Sequence, residues 1–390
     1  MMYSFEKRVD RSNSNCIKWD TVKELYGCEE VIPMWIADMD FEIEPSIVKA
    51  IQERLEHSVL GYTFTPNSYY DAVISWFKKR FDWNVEKEWI KFSPGVVPGV
   101  NSIIAAYTKP GDEVILQTPV YHPFYKLVKN NGCQVIENPL IYDGEKYDMD
   151  FENLESIITD RTRMIILCSP HNPVGRVWTK DELKKLGDIC IKHNVLIVSD
   201  EIHADIIYKP YKHTVFSSIS DEFAENSIIC TAPNKTFNIA GLQTANIIIK
   251  NEKLRKEFDI QLDKHCVHEP NVFGAIAQEA AYSNGEEWYN GLMEYLTENL
   301  KFTIDFFEKR IPKIKLVKPE GTYLLWLDCT NLNMNASDLK DFFVKKCKVG
   351  FNDGSMFGIK GEMFQRMNIA TSREIIKDAL ERIEREVNKL

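Results

Sequence analysis

What this 390-residue chain lacks narrows its class before anything it contains. No stretch approaches the roughly 18 uninterrupted apolar residues that a membrane helix needs, so no spanning segment is expected. The opening MMYSFEKRVDRSNSN is polar and charged and has no apolar core of a secretory signal. The nine cysteines are odd in number, scattered, and never spaced as CxxC. That usage suits a reducing compartment better than a disulfide framework, and a cytoplasmic protein is expected. Positive charge is short: 48 Lys and Arg stand against 58 Asp and Glu, a formal net charge of -10 with no basic stripe. A nucleic-acid footprint is therefore not expected. Neither GxGxxG nor GxxxxGK[ST] occurs, which excludes the two common glycine-rich phosphate loops. His265-Cys266-x-His268 supplies too few ligands for a metal site, and no metal is expected. Internal repeats and low-complexity tracts are also missing.

What remains is an ordinary soluble composition, long enough for one large domain and a smaller one. Pro45 opens a helix to about Glu56, and a second helix covers Ser68 to Phe81. Between them lies the aromatic loop Gly61-Tyr62-Thr63-Phe64-Thr65. From Trp89 onward short apolar runs alternate with helical patterns. Strands are predicted at 89–93, 113–117, 134–138, 163–168, 195–199, 227–230 and 244–249. The continuous apolar runs are those of a buried parallel sheet. Residues 236–243 are too few for a crossover helix, so the strand at 244–249 should run antiparallel to the others. The remainder is helical to about Lys309, then mixes strands and helices. A last helix begins near Thr371, with Glu374 at a capping-box spacing.

The chain is organised around Thr231-Ala232-Pro233-Asn234-Lys235-Thr236, a lysine held between two buried strands. Desolvation lowers a lysine pKa and frees the amine to form a Schiff base. The same pattern would also suit a lysine whose head reaches solvent past a buried stem, so its neighbours decide. Several strands end in polar or aromatic groups on the same sheet edge, where α/β folds place ligands. Tyr121 follows the strand at 113–117, Asn172 follows 163–168, and Asp200 and His203 follow 195–199. Pro94-Gly95-Val96-Val97 turns from a strand into a helix N-terminus, a generic anion cradle. Amine, carboxylate, amide, aromatic face and anion cradle are what pyridoxal phosphate requires. An amino-acid substrate adds a planar cation for its carboxylate, and Arg373, at the end of a small-domain strand, is the candidate.

The segments WIADMDF, GYTF, SPGVVPG, TPVYHPF, SPHNPVG, SDEIHADI, NKTFNIAGLQT and NIATSR together resemble a fold-type I pyridoxal-phosphate enzyme. The superfamily is that of class I/II aminotransferases, and the group within it is the MalY/PatB-type cystathionine β-lyases, also called cysteine-S-conjugate β-lyases. The resemblance covers nearly the whole chain. It implies an α/β fold, with a mostly parallel seven-stranded sheet between helices plus a smaller α+β domain. Residues 1–45 would form an N-terminal segment belonging to the small domain, 46–285 the large cofactor-binding domain, and 286–390 the small C-terminal domain.

Roles follow from the resemblance position by position. Lys235 would hold pyridoxal 5'-phosphate as a Schiff base and later move the Cα proton. Asp200 would pair with the pyridine nitrogen, Tyr121 would stack on the ring, and Asn172 would bond the ring oxygen and help with the substrate carboxylate. Val96 and Val97 would offer backbone N–H groups to the phosphate, and Arg373 would clamp the α-carboxylate. Ala37 and Asp38 would line the substrate entrance. Tyr62 would reach the neighbouring subunit's site, making the enzyme a homodimer. Ordinary aminotransferases carry a tyrosine three residues after the aspartate and an arginine eight after the lysine. Here these are His203 and Gln243, and Ala232 stands where serine is common. The phosphate would then rest more on neutral donors, Thr236 and Gln243. His203 would lie beside the cofactor, although a satisfied buried histidine is an equal reading. His122 and His171 fall in site loops without an assigned role.

The expected reaction is α,β-elimination of L-cystathionine or a related sulfur-containing amino acid to a thiol, pyruvate and ammonia. Tyr62 or Tyr121 could give the leaving thiolate a proton. A pyridoxal-phosphate aminotransferase built on the same residues is the alternative. A regulatory protein that binds a partner is the alternative of another class.

Overall fold

The computed structural model describes residues 3–390. Met1 and Met2 of the expected N-terminal segment lie outside the described residues. The central sheet is built from β1 (Ile90–Ser93), β2 (Glu113–Leu116), β3 (Gln134–Glu137), β4 (Thr162–Cys168), β5 (Leu196–Asp200), β6 (Ser227–Thr231) and β7 (Ala245–Ile248). Its seven strands lie in the order β1-β7-β6-β5-β4-β2-β3. The pairs among β6, β5, β4, β2 and β3 are parallel. Strand β7 is antiparallel to both its neighbours, as the short link before it requires.

The inner strands are buried on both faces, which is why they read as continuous Ile, Val and Leu. Ile165, Ile197 and Ile229 face one apolar layer. Ile166, Val198 and Ile228 face the other. Helix α1 (Val96–Tyr107) starts directly after β1 and lies on the second layer. Gly99 lets it approach the sheet closely: a Cβ there would stand 2.5 Å from Cδ1 of Ile247. The helix N-terminus is thereby held at the carboxyl edge of the sheet.

Helix α2 (Glu286–Arg310) precedes a second, antiparallel sheet. Its strands β8 (Lys315–Val317), β9 (Leu324–Asp328), β10 (Asn352–Asp353) and β11 (Phe364–Asn368) lie in the order β8-β9-β11-β10. Residues Ile32–Pro33 pair in parallel with Val349–Gly350, which fastens the early chain to this region. The closing helix α3 spans Arg373–Val387. The expected capping box at Thr371 and Glu374 does not form. Ser372 is the N-cap, and it makes no side-chain cap bond. The N–H of Arg373 donates instead to the Tyr295 hydroxyl at 2.8 Å.

Two features tie the sheets together. The first is the irregular stretch 34–41, whose carbonyls are held by side chains from both regions. Arg366 Nη2 donates to the Trp35 carbonyl at 2.9 Å. Asn368 Nδ2 donates to those of Ile36 and Asp38, each at 2.7 Å. From the central sheet's side, Asn238 Nδ2 donates to those of Met39 and Phe41, each at 3.0 Å. The second is the buried Arg176, which donates to Asp148 at 2.8 Å, Glu182 at 3.0 Å and Glu320 at 3.0 Å. Among the described residues no helix is long and apolar enough to cross a membrane.

Candidate active site

The carboxyl ends of β1, β2, β4, β5 and β6 share one edge, and Val96, Tyr121, Asn172, Asp200 and Lys235 lie at or just beyond those ends. Asp200 is the last residue of β5 and is 4% exposed. In the sheet register it stands between Cys168 of β4 and Cys230 of β6. Its carboxylate accepts one backbone N–H, from Ile202 at 3.2 Å. Burial pushes its pKa up to about 7, against the pull of that N–H and of Lys235.

Lys235 lies in the turn after β6. The residue keeps partial solvent contact, but its Nζ is turned inward and donates to the Ala37 carbonyl at 2.5 Å. Burial brings its pKa down to about 8, aided by the Arg366 charge and opposed by Asp38 and Asp200. The fully buried Tyr323 donates its hydroxyl to the same carbonyl at 3.1 Å. Amine and carboxyl thus feel each other across the strand ends, and among the described residues neither is neutralised by a close ion pair.

Tyr121 is partly buried beside them. Burial raises its pKa, and the charges of Arg366 and Asp200 both act on it. His203 is 3% exposed, with Nδ1 unpartnered. Burial, Lys235 and Arg366 hold its pKa well below the ordinary value, so the ring is neutral. His122 makes an edge contact with Tyr121 at 5.5 Å, and burial takes its pKa to about 4. His171 turns away, with Nε2 at 2.9 Å from the Pro119 carbonyl. Val96 and Val97 are the first residues of α1, whose leading N–H groups have no carbonyl to meet within the helix and no side-chain cap.

Three expected positions are corrected. Arg373 does not enter the site. Its Nε donates to Asn299 at 2.8 Å, Nη2 lies 3.5 Å from Glu298, and its guanidinium sits 5.6 Å from the Tyr295 ring centre. As the first residue of α3 it points along α2 instead. Arg366, missed from the sequence, is the arginine at the edge. It is 3% exposed, and Nη1 donates to Asn172 Oδ1 at 3.0 Å, while Nε has no partner. Burial lowers its pKa to about 10. The sequence signal was available: Arg366 and Asn368 are polar, Met367 and Ile369 apolar, and that alternation is a strand's.

Thr236 does not offer its hydroxyl to the edge either. The proton is committed to Asp205 at 2.8 Å in the interior. Asp38 is drawn into an ion cluster, accepting from Arg11 Nη2 at 2.7 Å with Lys18 Nζ at 3.8 Å. It reaches the site only as a charge, and the Ala37 carbonyl is what lines it. Gln243, in a left-handed conformation at φ 51°, makes no side-chain hydrogen bond among the described residues. Tyr62 is fully exposed and touches none of these groups.

The edge fits a phosphorylated pyridine. Asp200 is a carboxyl in want of a cation, Arg366 Nε and Ser169 Oγ are buried without partners, and α1 presents free N–H groups. The chain's relatives agree with the geometry. The family model for class I and II aminotransferases matches residues 29–383. Cystathionine beta-lyase PatB of Bacillus subtilis is 42% identical over 381 residues, 97% of this chain and 98% of that protein. The crystal structure of cystalysin from Treponema denticola, which contains a pyridoxal 5'-phosphate cofactor, matches with a TM-score of 0.97 at 38% identity, covering 100% of both chains. The PLP-bound C-S lyase from Staphylococcus hominis matches with a TM-score of 0.93 at 34% identity, covering 99% of this chain and 98% of that one.

Proposed function

The chain belongs to the class I and II aminotransferase family, and from that premise we propose that it is a pyridoxal-phosphate-dependent carbon–sulfur β-lyase. Its substrate is L-cystathionine or a related cysteine S-conjugate, and its products are a thiol, pyruvate and ammonia. The observation that supports this best is an amine turned inward onto the Ala37 carbonyl, within reach of the Asp200 charge and at the same edge as the Arg366–Asn172 pair.

Bound pyridoxal phosphate supplies an electron sink for the pair left on Cα when its proton departs. The chain's residues supply the rest. Asp200, ionised, would favour the protonated pyridine nitrogen by its negative charge, which acts strongly at so buried a position. Val96 and Val97 would donate N–H groups to the phosphate, with Gln243 as a side-chain donor. Tyr121 packs on the ring face. Arg366 binds the substrate α-carboxylate through its planar fork, with Asn172 fixing the fork's angle. Lys235 holds the cofactor and then removes the Cα proton. A base whose pKa lies near the working pH suits that transfer, and the Ala37 carbonyl receives the amine when it is free. The thiolate leaves from Cβ and needs little acid help, with Tyr121 and a neighbouring subunit's Tyr62 as proton sources.

Tyr62 acts in trans in this reading, and the enzyme is a cytoplasmic homodimer. Leu60, Tyr62 and Phe64 are exposed together on one irregular stretch, an apolar surface that a second copy would cover. Mixing Tyr62→Phe with Lys235→Ala chains tests this, since hybrid dimers regain one intact site. Residues 46–285 form the cofactor-binding unit, and 286–390 with the first 45 residues form the smaller one.

Incubation with L-cystathionine and no keto acid tests the activity. Pyruvate and homocysteine in equal amounts are expected. Amino transfer to an added keto acid without pyruvate would overturn elimination in favour of an aminotransferase.

A further inference from the structure

We propose that Cys168 is a positioning residue whose thiol couples Asp200 to the Asn172–Arg366 pair. The inference rests on the site roles given above for those three residues. Cys168 closes β4 and stands directly across from Asp200 in the parallel register. Equivalent residues of neighbouring strands turn the same way, so the thiol and the carboxyl project from one face of the sheet. Cys168 is 3% exposed, and its sulfur is not idle. Sγ accepts the backbone N–H of Asn172 at 3.4 Å and lies 3.5 Å from the Pro170 carbonyl, to which it donates. Its own carbonyl accepts the Trp178 indole N–H at 3.0 Å. The residue is held from behind while it holds the turn ahead of it.

That turn, Ser169-Pro170-His171-Asn172, carries the amide that meets Arg366 Nη1 at 3.0 Å. Cys168 thus stands beside Asp200 in the sheet register and is hydrogen-bonded to the turn whose Asn172 meets Arg366. The thiol must be protonated to donate to Pro170, and burial together with the Asp200 charge keeps it so. Sulfur also suits the span. Its contacts here are several tenths of an ångström longer than ordinary N–H···O bonds, which run about 2.7 to 3.2 Å. A serine oxygen would either draw the Asn172 turn inward or leave its N–H without a partner. An alanine would free the turn altogether.

The test compares Cys168→Ala, Cys168→Ser and Asp200→Ala enzymes loaded with pyridoxal phosphate. Four quantities are read: the cofactor absorbance maximum, the cofactor dissociation constant, KM and kcat separately, and the melting temperature of the cofactor-free chain. The expected result for Cys168→Ala is a KM raised about tenfold and cofactor affinity weakened about fivefold, with kcat falling less than KM rises. Cys168→Ser should lie between this variant and the parent, and it serves alone if the alanine variant does not fold. A shift in melting temperature with KM, affinity and absorbance unchanged in both cysteine variants would overturn the proposal and leave Cys168 as packing. Should Asp200→Ala also leave absorbance and affinity unchanged, the site reading itself fails. If only the cysteine variants do, the failure is confined to this inference.

Discussion

Three cations stand near the same sheet, and one of them is treated in the opposite way to the other two. Arg176 is met by Asp148, Glu182 and Glu320. Burial pulls its pKa down, yet the surrounding carboxylates outweigh that pull and the net shift is upward. Arg366 is as well buried but meets only amide and carbonyl oxygens, and Lys235 meets only a carbonyl. Both have their pKa pushed down. A cation surrounded by acids holds a fold together, and removing it strands the acids. A cation short of acids is held ready for a negative group from outside.

Substitutions can break this contrast, and the largest effect belongs to the amine. Lys235→Ala should cost at least about a thousandfold in pyruvate release and abolish the yellow cofactor band, while the chain stays folded. Arg176→Met should do the reverse. About 3 to 5 kcal/mol of stability should be lost in denaturant melts, with turnover per folded molecule unchanged. Arg366→Met should lower kcat/KM about a hundredfold through loss of a charge-assisted fork. A pH series sharpens the comparison further. In the cofactor-free fold Asp200 holds its proton up to about pH 7, whereas unfolded it loses it in the ordinary carboxyl range. Between those limits the folded chain binds the extra proton, so its stability falls as pH rises. Asp200→Asn escapes that loss and should be about 2 to 4 kcal/mol more stable than the parent above pH 7, the gain vanishing below about pH 4. Smallest is Arg373→Ala, which should leave kcat/KM within about threefold, since its contacts lie on α2.

Much of this was legible in the chain. Uninterrupted apolar runs identified the strands of the central sheet, and the short link after Lys235 identified the one antiparallel member. Polar residues at strand ends then identified Asp200, Asn172 and Lys235. The arginine was harder. A small-domain strand read as leading to Arg373 favours that residue, yet the strand that pairs with Leu324–Asp328 runs from Phe364 and includes Arg366. The error is one of boundary, and boundaries depend on pairing that no local pattern records. Thr236 failed for another reason. Its partner Asp205 is distant in sequence and also accepts the Trp76 indole N–H. The apparent capping box failed because Tyr295, remote along the chain, supplies the acceptor that a local cap would have supplied.

The stretch 34–41 has a mechanical consequence. Its carbonyls are gripped at one end by Arg366 and Asn368 and at the other by Asn238. The oxygen that receives the Lys235 amine, that of Ala37, lies between the two carbonyls that Asn368 holds. Any widening of the gap between the two sheets must tug on this tether, and the amine would register it first. A few residues of early sequence thereby join the two sheets and also carry the oxygen on which the base rests.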